Sequence, residues 1–239
     1  MVMRKRGLSH LEVIFSFIIF MGAVGTALFF FDPASSYRLG EPSYKYIVKT
    51  IEDNLTTNVT IFGVESDSNN ANSIIVNMKL KEGNDKKLGV KITKSLDDPS
   101  SINYHIDDFN LGKITWKSQD KFVYVLVSDD FDLIDNSLSG SIKDAKIISV
   151  LAKKVKSEKR ANGLKANYEN NYFALRKFFG IGENVNFDFG IDFSSNRQDI
   201  ESTGRVPSER VNIISTTKRA EILNNEGKFE FATLNVKVW

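Results

Sequence analysis

Arg4-Lys5-Arg6-Gly7-Leu8-Ser9-His10-Leu11-Glu12, followed by an uncharged run from Val13 to Phe31, is the stretch that decides how this 239-residue chain is organised. Leu11 to Phe31 gives 21 positions. As an α-helix these rise about 31 Å, close to the hydrocarbon thickness of a bilayer. Ser16 and Thr26 are the only polar side chains between Val13 and Phe31, and their hydroxyls can bond back to the helix backbone. A secretory signal peptide has a shorter apolar core and a small-x-small cleavage step behind it. Here Asp32-Pro33 closes the run without that step. The basic tripeptide precedes the run, so the positive-inside rule places the N-terminus in the cytoplasm. The expectation is a single-pass protein of the cell membrane in contact with membrane lipid, its C-terminal region extracellular.

The same residues carry a resemblance. A basic leader, a glycine, Leu8-Ser9-His10-Leu11-Glu12 and then an apolar helix resemble the class III, prepilin-type signal of type IV pilins and pilin-like proteins. The resemblance covers about the first thirty residues. It implies cleavage after Gly7 by a prepilin-type peptidase, a new N-terminus at Leu8, and an assembly role for Glu12 at the fifth position of the processed chain. It also implies partners that are like or related pilin subunits, met through the N-terminal helix in a type IV filament or its membrane base. Leu8 stands where bacterial members usually have phenylalanine, and Pro33 falls later than their helix-kinking proline. With His10, these features lean towards the archaeal type.

Physical chemistry gives Glu12 a reason independent of the resemblance. A carboxylate at the edge of an apolar rod must become neutral or find a cation. An amine freed at Leu8 would lie one helical turn away, on the same subunit or on a neighbour. The competing reading is a passive anchor whose glutamate reaches the headgroups. That alternative makes the chain a membrane-anchored surface protein with an extracellular module that binds a ligand or partner. Gly22 and Gly25 are three apart, so they form only a weak small-residue packing face.

Composition narrows the classes. The chain has no cysteine, which excludes disulfides and thiolate metal sites and leaves stability to the core. The net charge is +2, and loss of Arg4–Arg6 would make it −1, which argues against a nucleic-acid partner. Acids crowd Asp97 to Asp135, and bases follow at Lys143, Lys146, Lys153, Lys154, Lys156, Lys159, Arg160 and Lys165. Such separation suits either a solvated surface or complementary faces of neighbouring copies.

The portion after the run reads as α+β: a transmembrane helix, then a mixed, mainly antiparallel β region with at least one packed helix. Residues 1–7 form the leader, 8–31 the transmembrane and assembly helix, 32–42 a linker and 43–239 the outer region, with a sub-boundary candidate near 135–142. Ile47, Ile51 and Leu55 recur every four residues, predicting a helix over Ser43 to Leu55. Period-two segments predict strands at Val59–Phe62, Ser73–Leu80, Leu88–Ile92, Ile114–Trp116, Lys121–Val127 and Val185–Phe193. Ala145–Val155 fits either state. Leu164, Tyr168, Leu175 and Phe179 predict a helix over Gly163–Phe179, with Gly180 capping it. At the C-terminus, Val211–Ser215, Lys218–Leu223 and Lys228–Trp239 read as strands, and the apolar phase shift between Phe229/Phe231 and Leu234/Val236 predicts a bulge near Thr233.

Catalytic residues are not found, and the chain reads as a non-enzyme without cofactor or metal. His10 and His105 are its only histidines, and nothing beside His105 forms a nucleophile motif. Asp129, Asp130, Asp132 and Asp135 offer oxygen ligands but lack the glycine and terminal glutamate of an EF-hand loop. Two covalent sites fit a rule: Asn54-Leu55-Thr56 and Asn58-Val59-Thr60 are acceptors for N-linked glycans.

Overall fold

β-Branched and aromatic residues at alternating positions make strands of much of the chain beyond residue 55. In a computed structural model the described residues are 6–31, 33–67, 70–82, 86–97, 100–134, 136, 138, 142–194, 197–202, 205, 207 and 211–239. They form three helices, α1 (Arg6–Phe31), α2 (Pro33–Leu55) and α3 (Glu158–Phe178). The strands are β1 (Thr56–Glu65), β2 (Ala71–Ile75), β3 (Lys81–Glu82), β4 (Lys86–Lys87), β5 (Gly89–Thr93), β6 (Tyr104–Asp108), β7 (Lys113–Lys117), β8 (Phe122–Ser128), β9 (Ile142–Asp144), β10 (Lys146–Ser157), β11 (Phe187–Phe193), β12 (Ile200–Glu201), β13 (Ile214–Leu223) and β14 (Phe229–Val238).

Two expectations are corrected here. The chain is not α+β with an N-terminal transmembrane helix; it is mainly β, with fourteen strands against three helices among the described residues. Among those residues no helix is long and apolar enough to cross a membrane. The single-pass location in the cell membrane, with an extracellular C-terminal region, is overturned with it.

The chain divides into two compact units, Met1–Tyr46 and Ile47–Trp239. In the first, α1 and the opening of α2 are helical. Helix α2 starts at Pro33 and carries Pro42 inside it, so the stretch expected to be a linker is helical. A proline in a first helical turn lacks only a donor that would have been unsatisfied anyway.

The second unit begins with the end of α2, where Ile47, Val48, Ile51 and Leu55 are buried at the predicted four-residue spacing. An eight-stranded sheet follows in the order β12-β11-β14-β13-β10-β1-β8-β5, beside a four-stranded sheet β6-β7-β2-β9. Strands β5, β8, β1 and β10 are antiparallel neighbours and share a core with the small sheet. That core contains Phe62, Val64, Ile92, Trp116 and Val125. The two layers are joined on both sides. Strand β9 runs into β10 across Ala145, whose N–H donates to the Ser73 carbonyl at 2.8 Å, and Ile102 N–H donates to the Ile92 carbonyl at 2.7 Å. This half-closed barrel removes most free edges.

Strands β13, β14, β11 and β12 make a second antiparallel set. It joins the first through a short parallel contact, Lys156 opposite Ile222 and Ser157 opposite Leu223. Helix α3 covers its apolar face: the Tyr168, Tyr172 and Phe179 rings lie 5.7, 5.4 and 5.9 Å from the Phe187 ring. Ser157 caps the start by accepting from Arg160 N–H at 3.2 Å. At the other end Gly180, at φ +66°, donates to the Lys177 carbonyl and Ile181 donates to that of Arg176, a Schellman closure that requires the left-handed residue. The helix bends at Asn171 (φ −152°, ψ 65°), whose side chain accepts from Ala174 N–H at 3.1 Å and caps the second segment.

Three local expectations change. The ambiguous stretch before α3 is a twelve-residue strand, β10. Ile214–Leu223 is one strand, not two. The bulge expected near Thr233 is missing, because β14 pairs in continuous register with both neighbours. Its phase shift has another cause: Ala232, Leu234, Val236 and Val238 are buried on one face. On the other face, Phe229 sits beneath Lys153 at 3.6 Å and Phe231 beneath Arg219 at 4.6 Å. A register irregularity occurs instead between Gly63 and Val64 in the β1–β10 ladder. A Cβ at Gly63 would lie 2.4 Å from Ser149 Oγ.

Candidate assembly site

Nine consecutive residues turning 100° apiece sample every side of a helix, and in α1 almost all of those from Val13 to Met21 are large and apolar. Val13, Ile14, Phe15, Phe17, Ile18, Ile19, Phe20 and Met21 are each between 52% and 71% exposed. A helix that is hydrophobic all round belongs inside something. Fully covering one such side chain is worth roughly 1.5–3 kcal/mol, so covering the whole set is worth on the order of 10 kcal/mol. Thr26 does not break the pattern, because its hydroxyl donates to the Gly22 carbonyl at 2.6 Å. A Cβ at Gly22 or Gly25 would meet nothing within 4 Å, so both offer a place for close approach of another helix.

Gly7 and Leu8 lie in the first turn of α1, and Glu12 is exposed one turn further on. The i, i+4 relation of Leu8 and Glu12 thus holds in the helix. A carboxylate beside a largely apolar surface is a polar feature that could fix the register of a bundle.

The glycan candidates sit in regular structure. Asn54 is in the last turn of α2, where its amide donates to the Thr50 carbonyl at 2.9 Å. Its acceptor threonine is engaged too: the Thr56 hydroxyl donates to the Glu52 carbonyl at 2.6 Å and accepts from Lys156 at 2.8 Å. Asn58 projects to solvent from β1, between β8 and β10.

The acidic and basic stretches of the sequence meet inside the molecule. Arg160 holds Asp129 at 2.6 Å and Asp130 at 2.9 Å, Lys159 holds Asp132 at 2.8 Å, Lys143 holds Asp67 at 2.8 Å and Lys153 holds Glu221 at 2.7 Å. The aspartates considered as calcium ligands are therefore occupied by cations. Asp135 lies outside the described residues, and among these no group of acids and histidines is arranged to hold a metal ion. His105 lies 3.8 Å from Asp107.

Two concave surfaces lie in the second unit. A groove of about 630 Å³ runs along α3, lined by Asn54, Leu164, Asn167, Ala174, Leu175 and Phe178. A polar cavity of about 280 Å³ lies on the sheet face away from α3, walled by Asp188, Asp192, Glu201, Thr216, Asn235 and Lys237. The alternation Phe187-Asp188-Phe189-Gly190-Ile191-Asp192 signalled one wet face, but not that it would be concave. Its polar groups largely satisfy one another: Ser202 donates to Asp188, Asn235 donates to Asp192 at 2.6 Å, and Thr217 and Asn235 join at 2.7 Å.

The chain matches no protein family, no curated protein and no solved structure.

Proposed function

We propose that this chain is a pilin-like structural subunit, processed after Gly7 and assembled by burying α1 among the N-terminal helices of like or related subunits. The observation that carries the reading is the bare apolar circumference of α1, from Val13 to Met21. One flat partner would cover a stripe; covering every side takes several neighbours, as a bundle of like helices provides. The signal-like sequence Arg4 to Glu12 supports the reading, as does the placing of Leu8 and Glu12 one turn apart. An amine created at Leu8 would neutralise Glu12 of its own or a neighbouring helix, so assembly would be coupled to processing.

The test is intact mass and N-terminal sequencing of the protein produced with a prepilin-type peptidase, together with cysteine cross-linking at Ile18→Cys. The chain has no native cysteine, so each cross-link reports that position. A start at Leu8 with Ile18→Cys dimers is the expected outcome. A retained Met1, or processed protein that never cross-links through α1, overturns the proposal.

A further inference from the structure

Strand β10 is paired on one side by β1 from Lys146 to Lys156. On its other side, among the described residues, it meets β13 only at Lys156 and Ser157. Over 146–154 every second N–H and C=O of β10 therefore lacks a ladder partner among the described residues. The side chains along this edge are Lys-Ile-Ile-Ser-Val-Leu-Ala-Lys-Lys. Ile148, Val150 and Leu151 are exposed at 53%, 59% and 54%. Folded proteins ordinarily blunt such an edge with inward charges, proline or a covering element. Here the register irregularity opposite Gly63 twists the edge, but its centre stays apolar.

Charge selects what can lie there. Among the described residues Lys146 and Lys154 make no ion pair, unlike Lys143, Lys153 and Lys159 nearby. They stand at the two ends of the apolar run, about 26 Å apart at ~3.3 Å per residue. A second copy of β10 is a poor occupant. Antiparallel pairing along the run brings Lys146 of one copy against Lys153 or Lys154 of the other, and in-register parallel pairing stacks each lysine on itself. Like charges directly opposite are destabilising.

We infer that the free edge of β10 is a strand-addition site for an extended segment of another protein that has an apolar, β-branched centre and a carboxylate at each end. Backbone pairing supplies the affinity, and the terminal carboxylates meeting Lys146 and Lys154 set direction and register. The site is independent of α1 and of the assembly reading.

The test uses the full chain and two nine-residue acetylated peptides of alternating valine and threonine, one ended by glutamates and one by lysines. Binding is measured by fluorescence anisotropy, and the β10 amides are followed by hydrogen exchange. The glutamate-ended peptide is expected to bind about tenfold tighter than the lysine-ended one, about 1.4 kcal/mol, and to slow exchange at residues 146–154. The double variant Lys146→Glu/Lys154→Glu, altered only at exposed side chains, is expected to invert the preference. Equal binding of the two peptides, binding that leaves β10 amides unprotected, or no binding overturns the proposal. So does β10 protection that rises with protein concentration in the absence of peptide, which would make a second copy the occupant.

Discussion

Tyr168 donates its phenolic proton to the backbone carbonyl of Phe187 at 3.1 Å, pinning α3 to the first residue of β11. One turn further on, the Tyr172 hydroxyl accepts from Phe187 N–H at 3.0 Å. Two tyrosines four residues apart thus hold both backbone groups of one strand residue. Their rings meet edge to face at 4.8 Å, a favoured geometry for aromatic pairs.

This pair makes the fold sensitive to alkali. Burial raises the pKa of both phenols, with Asp188 adding to the shift at Tyr168. A raised folded pKa means that the unfolded chain loses its protons first. Stability is fully present below about pH 10 and falls as pH rises from there towards the folded values. Denaturant melts between pH 8 and pH 11 should show this fall, and Tyr168→Phe should reduce its slope. Tyr168→Phe should also cost about 1 kcal/mol at pH 7 for the lost hydrogen bond; an unchanged slope would dismiss the account.

At the acid end the sensitive group is Glu230. Burial works to raise its pKa, but hydrogen bonds from Arg197 and Lys228 outweigh it, and the carboxyl lies below its usual value. The folded pKa is depressed, so the contribution is present above about pH 4.5 and is lost as pH falls through the folded value. Arg197 also binds Glu158 at the start of α3, tying that helix to β14. Glu230→Gln should flatten the stability profile below pH 4.5, read as midpoint against pH in urea.

Arg160 joins three segments: its side chain reaches Asp129, Asp130 and, at 2.6 Å, the Thr56 carbonyl. Arg160→Ala should cost about 2 kcal/mol by leaving the half-buried carboxylates short of a partner. Arg160→Lys should recover less than half of that, because an ammonium cannot reproduce the planar fork. Equilibrium unfolding of the two variants checks the ordering.

Two glycines should respond in opposite directions. A Cβ at Gly89 would lie 2.2 Å from the Phe131 carbonyl oxygen, so Gly89→Ala forces two backbone segments apart and should destabilise by about 1–3 kcal/mol. Gly163 is inside α3, and a Cβ there meets nothing within 4 Å. Gly163→Ala should therefore stabilise by roughly 0.5–1 kcal/mol. Urea midpoints of the two variants provide the measurement.

For the assembly reading, Glu12→Gln keeps size and shape and removes the charge. Processing at Gly7 should continue, while recovery of Ile18→Cys cross-links should fall at least tenfold. Equal cross-linking in wild-type and variant background would show that Glu12 has no part in helix packing.

The sequence by itself determined those features that depend on neighbours a few residues away. It marked the apolar helix and its lone Glu12, the Gly180 closure of α3, the buried stripe Ile47-Ile51-Leu55 and the one-sided strand around Phe187, because periodicity and left-handed glycine positions are local properties. Tertiary structure decided what depends on distant partners. It made Lys146–Ser157 a strand by giving it β1 to pair with, and put both faces of β14 to use where a bulge was expected. It brought Arg160 to Asp129 and Asp130, turning a charge imbalance along the chain into ion pairs within it. It also left the far side of β10, among the described residues, open from Lys146 to Lys154, since which strand edge finds a neighbour is set by chain topology and by no residue on that edge.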